Sequence, residues 1–411
     1  MNILDELKWR GILKQISNEE KFKKLIPGET GIYCGFDPTA LSLHLGNYIL
    51  ISVLKRFKKA GFNVYAIVGG ATGMIGDPSF KDKERVLLDN QAVVTNKNAI
   101  KNQLRKQGLK VIDNYSFYRN INILEFLRDA GKLINVASIL SRDSIVNCLE
   151  RGLSFTEFSY TLLQGYDFLT LYKQKNVCIQ LGGSDQWGNI VTGLDMINRV
   201  YGDNHQAVGI TMDLLTDENG NKIGKSTGGG ALWLDPKMCS PYRFYQYLFN
   251  QSDATSEKLI KWLTFLPKEK IEQVISKHYQ NPKLHLLQKT LAQQVTKDIF
   301  GAQGVKFAQK ITSLIYKQNI SDLNLSLDEF EELKNYLPVV EIEVGANTVD
   351  TLIAAKHIQS KREAREFIQT KSLKINGMPF DETSLYETKL GEGKFAIIKK
   401  GKKTTILAVS K

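Results

Sequence analysis

Between residues 30 and 210, short apolar runs alternate with amphipathic stretches. The runs GIYCGF, NVYAIVGG and NVCIQLGG have the length and composition of buried strands, and glycine-rich turns accompany them. The stretches NYILISVLKRFKKAG and NILEFLRDAGK carry their apolar residues at helical spacing. Strand–helix alternation over this length predicts an α/β fold with a doubly wound parallel sheet.

Ligands of such sheets bind outside the carboxyl ends of the strands. The glycine-rich turns lie at those ends, and glycine lets the backbone approach a ligand closely. We therefore expect the three turns to converge on one site.

The pattern changes after residue 240. Residues 241–320 show helical periodicity with few strand signals, and residues 321–345 form a more acidic, less patterned stretch that we interpret as a linker. Residues 346–411 predict two short helices followed by strands, which is typical of a small α+β domain. With an α/β domain over residues 1–240, the chain divides into three domains and a linker.

The formal net charge is +12, and residues 346–411 hold thirteen Lys and Arg against seven Asp and Glu, a net +6. A basic terminal domain favours a polyanionic partner such as nucleic acid, although a merely solubilising tail has the same composition. The four cysteines are far apart and no Cys/His cluster occurs, which argues against structural zinc and a disulfide framework. Without a leader or an apolar run of membrane-spanning length, the chain is expected to be cytoplasmic.

The stretch YCGFDPTALSLHLGN carries the first candidate chemistry. It places His44, Gly46 and Asn47 within one turn at the start of the helix that follows the first strand. A helix N-terminus has unpaired N–H groups and a positive dipole end, so it favours an anion. The alternative is a strand–loop–helix crossover whose polar residues are incidental.

The loop VGGATGMIGDPSFKDKER, residues 68–85, matches neither a dinucleotide fingerprint nor a P-loop. Asp77 lies in a Gly-Asp-Pro turn, where a carboxylate can receive a ligand ammonium group. Lys81 and Arg85 are four residues apart and can share one helix face. Alternatively, Asp77 is only a turn residue and the two cations are solvated.

In FTEFSYTLLQGYDFLTLY, Tyr160, Gln164 and Asp167 fall on one face of a helix that is otherwise largely apolar. Buried polar groups need partners. This stripe therefore meets either polar protein groups or a ligand cavity, and the nearby glycine turns favour the cavity.

The turn LGGSDQWGN adds Asp185 and Gln186 beside a Gly-Gly pair. A carboxylate after a strand can accept ribose hydroxyls, as in dinucleotide sites. Ordinary turn chemistry is the alternative.

The stretch NKIGKS, residues 221–226, is not a P-loop, because position 219 is asparagine where that motif requires glycine. Its flanks are polar and glycine-rich, which predicts a mobile loop. Lys222 and Lys225 in such a loop suit a lid that closes over polyphosphate charge. Two lysines in any loop would look similar.

Taken together, HLGN and KIGKS on this frame resemble the HIGH and KMSKS motifs of the class I aminoacyl-tRNA synthetases. YCGFDPTALSLHLGN, VGGATGMIGDPS, SFTEFSYTLLQGYDFL and QLGGSDQWGN are similar to the bacterial tyrosyl-tRNA synthetase family. SKREAREFIQTKSLKING resembles the S4 RNA-binding module of that family. The resemblance covers essentially the whole chain and implies a Rossmann-type catalytic domain, an α-helical domain and an S4-like domain.

The resemblance also implies a reaction and its partners. L-Tyrosine and ATP give tyrosyl-adenylate and pyrophosphate, and the tyrosyl group then moves to the 3′-terminal adenosine of tRNA(Tyr). Mg²⁺ is expected to accompany ATP, without a tightly bound metal. A homodimer with no membrane association is expected.

Site residues follow from the match position by position. Tyr33 and Asp167 correspond to the pair that hydrogen-bonds the phenol hydroxyl of the substrate. The remaining positions that match tyrosine-binding residues are Asp77, Tyr160, Gln164, Gln180 and Gln186. The positions that match ATP-binding residues are Cys34, Gly35, Asp37, Gly46, Gly182, Asp185 and Ser226.

Two further groups are implied. The positions expected to act on the reacting phosphates are Thr39, His44, Asn47, Lys81, Arg85, Lys222 and Lys225. The positions expected to contact RNA are Arg362, Arg365, Lys399, Lys400, Lys402 and Lys403.

Three positions depart from the family pattern. Asn47 stands where the motif has a second histidine, and Phe80 replaces a glycine common after the Asp-Pro-Ser turn. Ala137 stands where many relatives have an asparagine expected near the tyrosine pocket.

Rival interpretations are a tryptophanyl-tRNA synthetase, a nucleotidylyltransferase and an RNA-binding protein on a retired synthetase frame. Tryptophanyl-tRNA synthetases normally lack an S4 module, and the pair Tyr33 and Asp167 favours a phenol over an indole. A nucleotidylyltransferase does not account for the S4-like end. His44, Lys222 and Lys225 are intact, which argues against loss of catalysis.

Overall fold

The structure is a computed structural model that describes residues 2–79, 89–142, 145–146, 149, 152–216, 223, 231–316, 325–343, 346–380, 393–401 and 404–411. The chain forms two compact units. The first comprises Met1–Ser240 and Tyr247–Ile299, and the second comprises Pro241–Gln246 and Phe300–Lys411.

The first unit contains a six-stranded sheet with the order β1-β6-β5-β2-β3-β4. Its strands are β1 Leu13–Ile16, β2 Gly31–Phe36, β3 Asn63–Val68, β4 Lys110–Asp113, β5 Val177–Gly183 and β6 Val208–Met212. All neighbouring pairs are parallel except β1 and β6, which are antiparallel. The predicted doubly wound α/β sheet is confirmed, with an antiparallel edge strand added.

Ten helices of the first unit precede residue 240 among the described residues. They are α1 Ile3–Trp9, α2 Glu19–Lys23, α3 Leu45–Lys59, α4 Thr72–Ile75, α5 Asn90–Lys106, α6 Tyr115–Tyr118, α7 Ile123–Asp129, α8 Val136–Leu140, α9 Phe155–Lys175 and α10 Trp187–Tyr201. Short 3₁₀ turns occupy Gly131–Leu133 and Ser184–Gln186.

Four further helices follow, as the periodicity of residues 241–320 predicts. They are α11 Pro241–Phe249, α12 Asp253–Leu263, α13 Lys268–Gln280 and α14 Leu286–Tyr316, with a 3₁₀ turn at Pro282–Leu284. Helix α14 is kinked at Gly301, whose φ of 75° lies in the left-handed region. The expected helical domain is therefore shared between the two units, because the division falls between Ile299 and Phe300.

The strand order explains where a ligand can bind. From β2 the chain runs outward through β3 to β4, and it then returns to build β5 and β6 on the other side of β2. The order therefore reverses between β2 and β5. A parallel sheet opens a crevice at such a point, outside the carboxyl ends of its strands.

Helix α3 begins at that crevice, and side chains stabilise both of its ends. The Asn47 side chain accepts the backbone N–H of His44 at 3.1 Å, which satisfies a donor at the helix start. Arg56, Lys58 and Lys59 lie in its last turn, where cations complement the dipole.

Two buried arginines join this frame to helix α12. Arg10 of the α1 C-cap donates to the carbonyl oxygens of Lys261 at 2.7 Å, Thr264 at 3.3 Å and Leu266 at 2.8 Å. Arg56 donates to the Thr264 carbonyl oxygen at 2.6 Å. These guanidinium groups satisfy carbonyls that the end of α12 leaves without helical partners.

The second unit contains a five-stranded sheet with the order β7-β11-β10-β8-β9. Its strands are β7 Val339–Ile342, β8 Leu373–Ile375, β9 Met378–Pro379, β10 Phe395–Lys400 and β11 Thr404–Ser410, and its short helices are α15 Leu327–Leu333, α16 Thr348–Ala354 and α17 Lys361–Gln369. The two helices and the strands predicted after residue 346 are confirmed. The segment expected as a linker contains α15 and β7, and β7 pairs in parallel with β11.

None of the described helices is long and apolar enough to cross a membrane.

The arginine contacts predict a large difference between two basic residues near the N-terminus. Arg10→Met should lower the free energy of unfolding of the first unit by about 3 kcal/mol, because it leaves buried carbonyl groups without donors. Lys8→Met removes an exposed pair with Glu19 and should cost less than about 1 kcal/mol. Urea denaturation of both variants measures this difference. Equal effects would contradict the structural role of Arg10.

Candidate active site

A cavity of about 350 Å³ lies at the carboxyl ends of β2, β3 and β5. Gly35, Gly69 and Gly182 from the three glycine-rich turns all line it, so the predicted convergence of these turns is confirmed. A wider groove of about 750 Å³ shares Asp213 and Leu214 with it, but none of the predicted site residues lines that groove.

Sixteen of the predicted site residues line the cavity. They are Tyr33, Cys34, Gly35, Asp37, Thr39, His44, Gly46, Asn47, Asp77, Tyr160, Gln164, Asp167, Gln180, Gly182, Asp185 and Gln186. Lys81, Arg85, Lys222, Lys225 and Ser226 lie outside the described residues.

One end of the cavity presents a buried phenol and a buried carboxylate. The Tyr33 side chain is 2% exposed, and its hydroxyl has no hydrogen-bond partner among the described residues. Asp167 accepts from Asn114 Nδ2 at 2.9 Å and from the Tyr118 hydroxyl at 2.6 Å. Burial raises the pKa of Asp167 to about 7, opposed by these two hydrogen bonds and increased by the charge of Asp37.

Two amide oxygens lack a hydrogen-bond partner among the described residues, as the Tyr33 hydroxyl does. Gln164 Oε1 and Gln180 Oε1 are buried without a hydrogen-bond partner among the described residues, and both side chains line the cavity. Buried polar groups are nearly always paired in native proteins. Three unpaired groups around one cavity therefore indicate that a polar ligand completes their hydrogen bonds.

Asp77 is held in place from two directions. Its carboxylate accepts from the Ser79 backbone N–H at 3.0 Å and from Gln186 Nε2 at 2.7 Å. Asn189, which was not predicted, lies 3.5 Å away and also accepts from the Thr161 hydroxyl at 3.0 Å. The result is a buried, fixed carboxyl group that lines the cavity and matches the position where a ligand ammonium is expected.

Asp37 is a second fixed carboxylate. It accepts from the Tyr160 hydroxyl at 2.8 Å and from the Thr72 hydroxyl at 2.7 Å. The approach is so close that a Cβ at Gly69 would lie 2.1 Å from Asp37 Oδ1. Glycine at position 69 is therefore required by packing inside the protein.

The start of helix α3 and the KIGKS segment meet at Gly46. A Cβ at this position would lie 2.9 Å from the His44 ring and 3.2 Å from the backbone oxygen of Ile223. Ile223 lies between Lys222 and Gly224 and is the part of the KIGKS motif that the structure describes. The two motifs therefore share one wall of the cavity.

Backbone hydrogen bonds fasten both sides of this wall. The Ile223 N–H donates to the Leu215 carbonyl at 2.8 Å. Beyond the KIGKS segment, the Leu45 N–H donates to Leu232 at 2.9 Å, and the Leu234 N–H donates to Leu43 at 2.8 Å. This pairing holds the HLGN segment against the chain that follows the KIGKS loop.

The side chain of Asn47 has one defined role and one remaining capacity. Its Oδ1 accepts the His44 N–H, so Nδ2 is the end that can donate toward the cavity. Cys34 is buried, and burial raises the pKa of its thiol, which disfavours a nucleophilic thiolate.

The predicted RNA-binding residues occupy different environments in the second unit. Arg362 and Arg365 are exposed on α17. Lys399 is buried in β10, and burial together with the charge of Lys374 lowers its pKa. Lys400 pairs with Glu363 at 3.2 Å. Lys402 and Lys403 lie outside the described residues.

Comparisons with known proteins show the family of the chain. Residues 27–317 match the family described as tRNA synthetases class I (W and Y), and residues 329–408 match the Tyrosine--tRNA ligase SYY-like C-terminal domain. A tyrosine--tRNA ligase of Mycoplasmopsis agalactiae is 56% identical over 407 residues, which cover 99% of both chains. A tyrosine--tRNA ligase of Mycoplasmopsis synoviae is 52% identical and covers 98% of both chains.

The chain belongs to the tyrosine–tRNA ligase family of class I tRNA synthetases.

Solved structures of the class share the fold. A C-terminally truncated mitochondrial tyrosyl-tRNA synthetase of Aspergillus nidulans superposes with a TM-score of 0.69 at 27% identity, covering 76% of this chain and 93% of the other. A tryptophanyl-tRNA synthetase of Encephalitozoon cuniculi gives a TM-score of 0.54 at 13% identity, covering 73% and 87%, which shows only the common fold.

One expectation drawn from the tyrosine–tRNA ligase pattern is wrong. Ala137 does not lie near the pocket: it is exposed on α8 and does not line the cavity. The asparagine that bonds the buried carboxylate is Asn114, which follows β4. Which loop folds back to α9 is decided by tertiary contacts, and the local sequence pattern does not contain them.

Four residues at this cavity were missed by sequence reasoning. Thr72 and Asn114 line the cavity, while Tyr118 and Asn189 bond the carboxylates from behind. The segment KVIDNYSFY offered one usable signal, since a short apolar run followed by Asp-Asn is typical of a strand that ends in a turn. Tyr118 and Asn189 are distinguished only by tertiary contacts.

Two buried tyrosines provide a direct test of the unpaired hydroxyl. Tyr33→Phe should leave the free energy of unfolding unchanged or raise it slightly, because the removed hydroxyl has no partner in the ligand-free protein. Tyr48 is equally buried, but its hydroxyl donates to Asp298. Tyr48→Phe should therefore cost about 2 kcal/mol. Chemical denaturation of both variants without ligand measures these free energies of unfolding. A large decrease for Tyr33→Phe would show that the Tyr33 hydroxyl has a structural partner.

Proposed function

We propose that the chain is a tyrosine–tRNA ligase that activates L-tyrosine with ATP and transfers the tyrosyl group to the 3′-terminal adenosine of tRNA(Tyr). The site observation that carries the proposal is the buried, unpartnered hydroxyl of Tyr33 beside Asp167. A substrate phenol supplies one donor and one acceptor, which is what this pair lacks. An indole of tryptophan has no acceptor, and phenylalanine has neither group.

The fixed carboxylates indicate where the rest of the substrate tyrosine would lie. Asp77, Tyr160, Gln164 and Gln186 line the part of the cavity where the substrate ammonium group would lie, and Gln180 supports the ring-binding end. Because Asp77 is held by two hydrogen bonds before any ligand arrives, little reorganisation accompanies binding.

ATP would lie against the glycine turns. Cys34 and Asp185 would contact the ribose, Gly35, Asp37 and Gly182 would provide close approach, and Gly46 would face the adenine. Ser226 of the KIGKS segment completes the proposed ATP-binding residues. Mg²⁺ enters with ATP as part of the substrate and neutralises phosphate charge.

The first step needs positioning and charge stabilisation but no protein acid or base. A tyrosine carboxylate oxygen attacks the α-phosphorus, and the bond to the bridging oxygen breaks so that pyrophosphate leaves. Thr39, His44 and Asn47 would face the reacting phosphates, with the start of α3 adding its positive dipole end. Lys81, Arg85, Lys222 and Lys225 would stabilise the charge that builds on pyrophosphate.

The second step uses the tRNA. A hydroxyl of the 3′-terminal adenosine attacks the carbonyl carbon of the adenylate, and AMP leaves. Arg362, Arg365, Lys399, Lys400, Lys402 and Lys403 are the residues proposed to contact the RNA. Of these residues, Arg362 and Arg365 are exposed and therefore accessible to RNA. Loss of both charges should reduce the salt dependence of tRNA binding.

A homodimer in the cytoplasm is also proposed. Seven of the eighteen exposed large apolar side chains among the described residues lie between Ile123 and Phe155, a segment too apolar for a free surface. Sedimentation as a monomer at micromolar concentration would contradict the dimer.

The proposed activity is tested by ATP–pyrophosphate exchange without tRNA, run separately with tyrosine, phenylalanine and tryptophan. Exchange with tyrosine alone is expected. Exchange with tryptophan would show that the chain is specific for tryptophan instead. Absence of exchange from a folded protein that still binds RNA would favour a recruited RNA-binding role.

A matched pair of glycine variants tests where ATP lies. A Cβ at Gly35 or at Gly131 would meet no protein atom within 4 Å, and neither residue has a positive φ, so both alanine variants should keep wild-type stability. Only Gly35 lines the cavity. Gly35→Ala should raise the KM for ATP by about ten-fold through collision with the nucleotide, and Gly131→Ala should leave it unchanged. Equal KM values in the exchange assay would contradict the proposed nucleotide position.

A further inference from the structure

Tyr118 stands behind the carboxylate that the proposed function uses for recognition. Its hydroxyl lies 2.6 Å from Asp167 Oδ1, and the residue is absent from the lining of the cavity. Tyr118 therefore meets the substrate only through Asp167. The ring is fixed by Phe126 at a centroid distance of 5.8 Å and by Tyr166 at 5.9 Å.

The hydroxyl hydrogen of Tyr118 has two acceptors in reach. One is Asp167 Oδ1 at 2.6 Å, and the other is the Leu163 carbonyl oxygen at 2.9 Å. A hydroxyl donates one hydrogen. The shorter contact has the length typical of O–H donation to an ionised carboxylate, so the hydrogen lies toward Asp167 when that group is charged.

Both oxygens of Asp167 are thus held by the protein before substrate arrives. Asn114 holds Oδ2 and Tyr118 holds Oδ1. Each carboxylate oxygen has a second acceptor position, which remains for a substrate phenol. The carboxylate cannot turn away from the cavity without breaking one of the two bonds.

We propose that Tyr118 is a positioning residue for substrate recognition, which acts by holding Asp167 Oδ1 so that the carboxylate presents an acceptor to the phenol of tyrosine. The inference rests on the proposed function and adds to it a residue that sequence comparison of motifs did not single out.

Asp167 makes tyrosine binding depend on pH. The titratable groups that act on Asp167 are Tyr118, Tyr33 and Asp37, and burial raises the pKa of Asp167 to about 7. A phenol that donates to Asp167 prefers the ionised form, so tyrosine affinity should rise with pH through this range and level off above it. Removal of the Tyr118 hydroxyl withdraws a bond that favours the ionised form, and this moves the midpoint to higher pH.

The test compares Tyr118→Phe with Tyr166→Phe. Tyr166 lies in the same aromatic cluster, and no hydrogen bond joins it to Asp167 among the described residues. Tyrosine dissociation constants are measured by equilibrium dialysis between pH 6 and pH 9, and KM for ATP is measured in the exchange assay. The ratio of variant to wild type cancels the titration of the amino group of tyrosine itself.

For Tyr118→Phe, the midpoint of the pH dependence of tyrosine binding is expected to rise by about one pH unit. This shift weakens tyrosine binding about five-fold at pH 7, nearly ten-fold at about pH 6 and less than about two-fold at pH 9. KM for ATP should not change, and Tyr166→Phe should match wild type. The free energy of unfolding of Tyr118→Phe should fall by about as much as that of Tyr48→Phe, because each variant removes a hydroxyl donor from a carboxylate. In an Asp167→Asn background, Tyr118→Phe should have no further effect on tyrosine binding.

Three results would overturn the inference. They are an unchanged pH profile in Tyr118→Phe, equal losses of tyrosine and ATP binding, or a full effect of Tyr118→Phe in the Asp167→Asn background. Failure of the proposed function is seen separately, because wild-type protein would then show no tyrosine-dependent exchange.

Discussion

The cost of leaving polar groups buried without partners governs this site. Tyr33, Gln164 and Gln180 each bring an unpaired polar atom to one cavity, and the free protein gains nothing from them. Asp77, Asp37 and Asp167 beside them are each held by two or more protein donors. The fixed carboxylates and the unpaired groups together form a binding surface that is completed only by a ligand of matching polarity. The proposed specificity for a phenol rests on this constraint, because a ligand without the hydroxyl would leave the pair Tyr33 and Asp167 unsatisfied.

The sheet makes such a surface possible. Strands β2, β3 and β5 end at the same edge, and the reversal of strand order between β2 and β5 opens the crevice there. Glycines at these ends let the backbone and the carboxylates approach closely, as Gly69 does beside Asp37. The HLGN and KIGKS segments close one wall through Gly46 and Ile223, and they are held there by backbone hydrogen bonds. One sheet edge thus places the residues proposed for polar recognition beside those proposed for phosphate chemistry.

Local signals predicted this arrangement well where the chemistry lies on regular elements. The polar face of α9 and the glycine turns were recognised because helical and strand periodicity dictates which side chains share a face. Residues that act across long sequence separations were not recognised. Asn114 and Tyr118 reach Asp167 from 53 and 49 residues away, and Asn189 reaches Asp77 from 112 residues away. No local pattern encodes such pairs, and Ala137 was misplaced for the same reason. Strand β7 in the expected linker reflects pairing with β11, which is likewise non-local.

A crystal structure of the full chain with L-tyrosine would show most directly whether the unpaired polar groups recognise the substrate. We expect the phenol oxygen of the ligand to lie within hydrogen-bond distance of both the Tyr33 hydroxyl and Asp167, with the ligand ammonium group beside Asp77. Tyrosine bound elsewhere, or bound in the cavity with the Tyr33 hydroxyl still unpaired, would contradict the claim that the unpaired groups are the recognition surface.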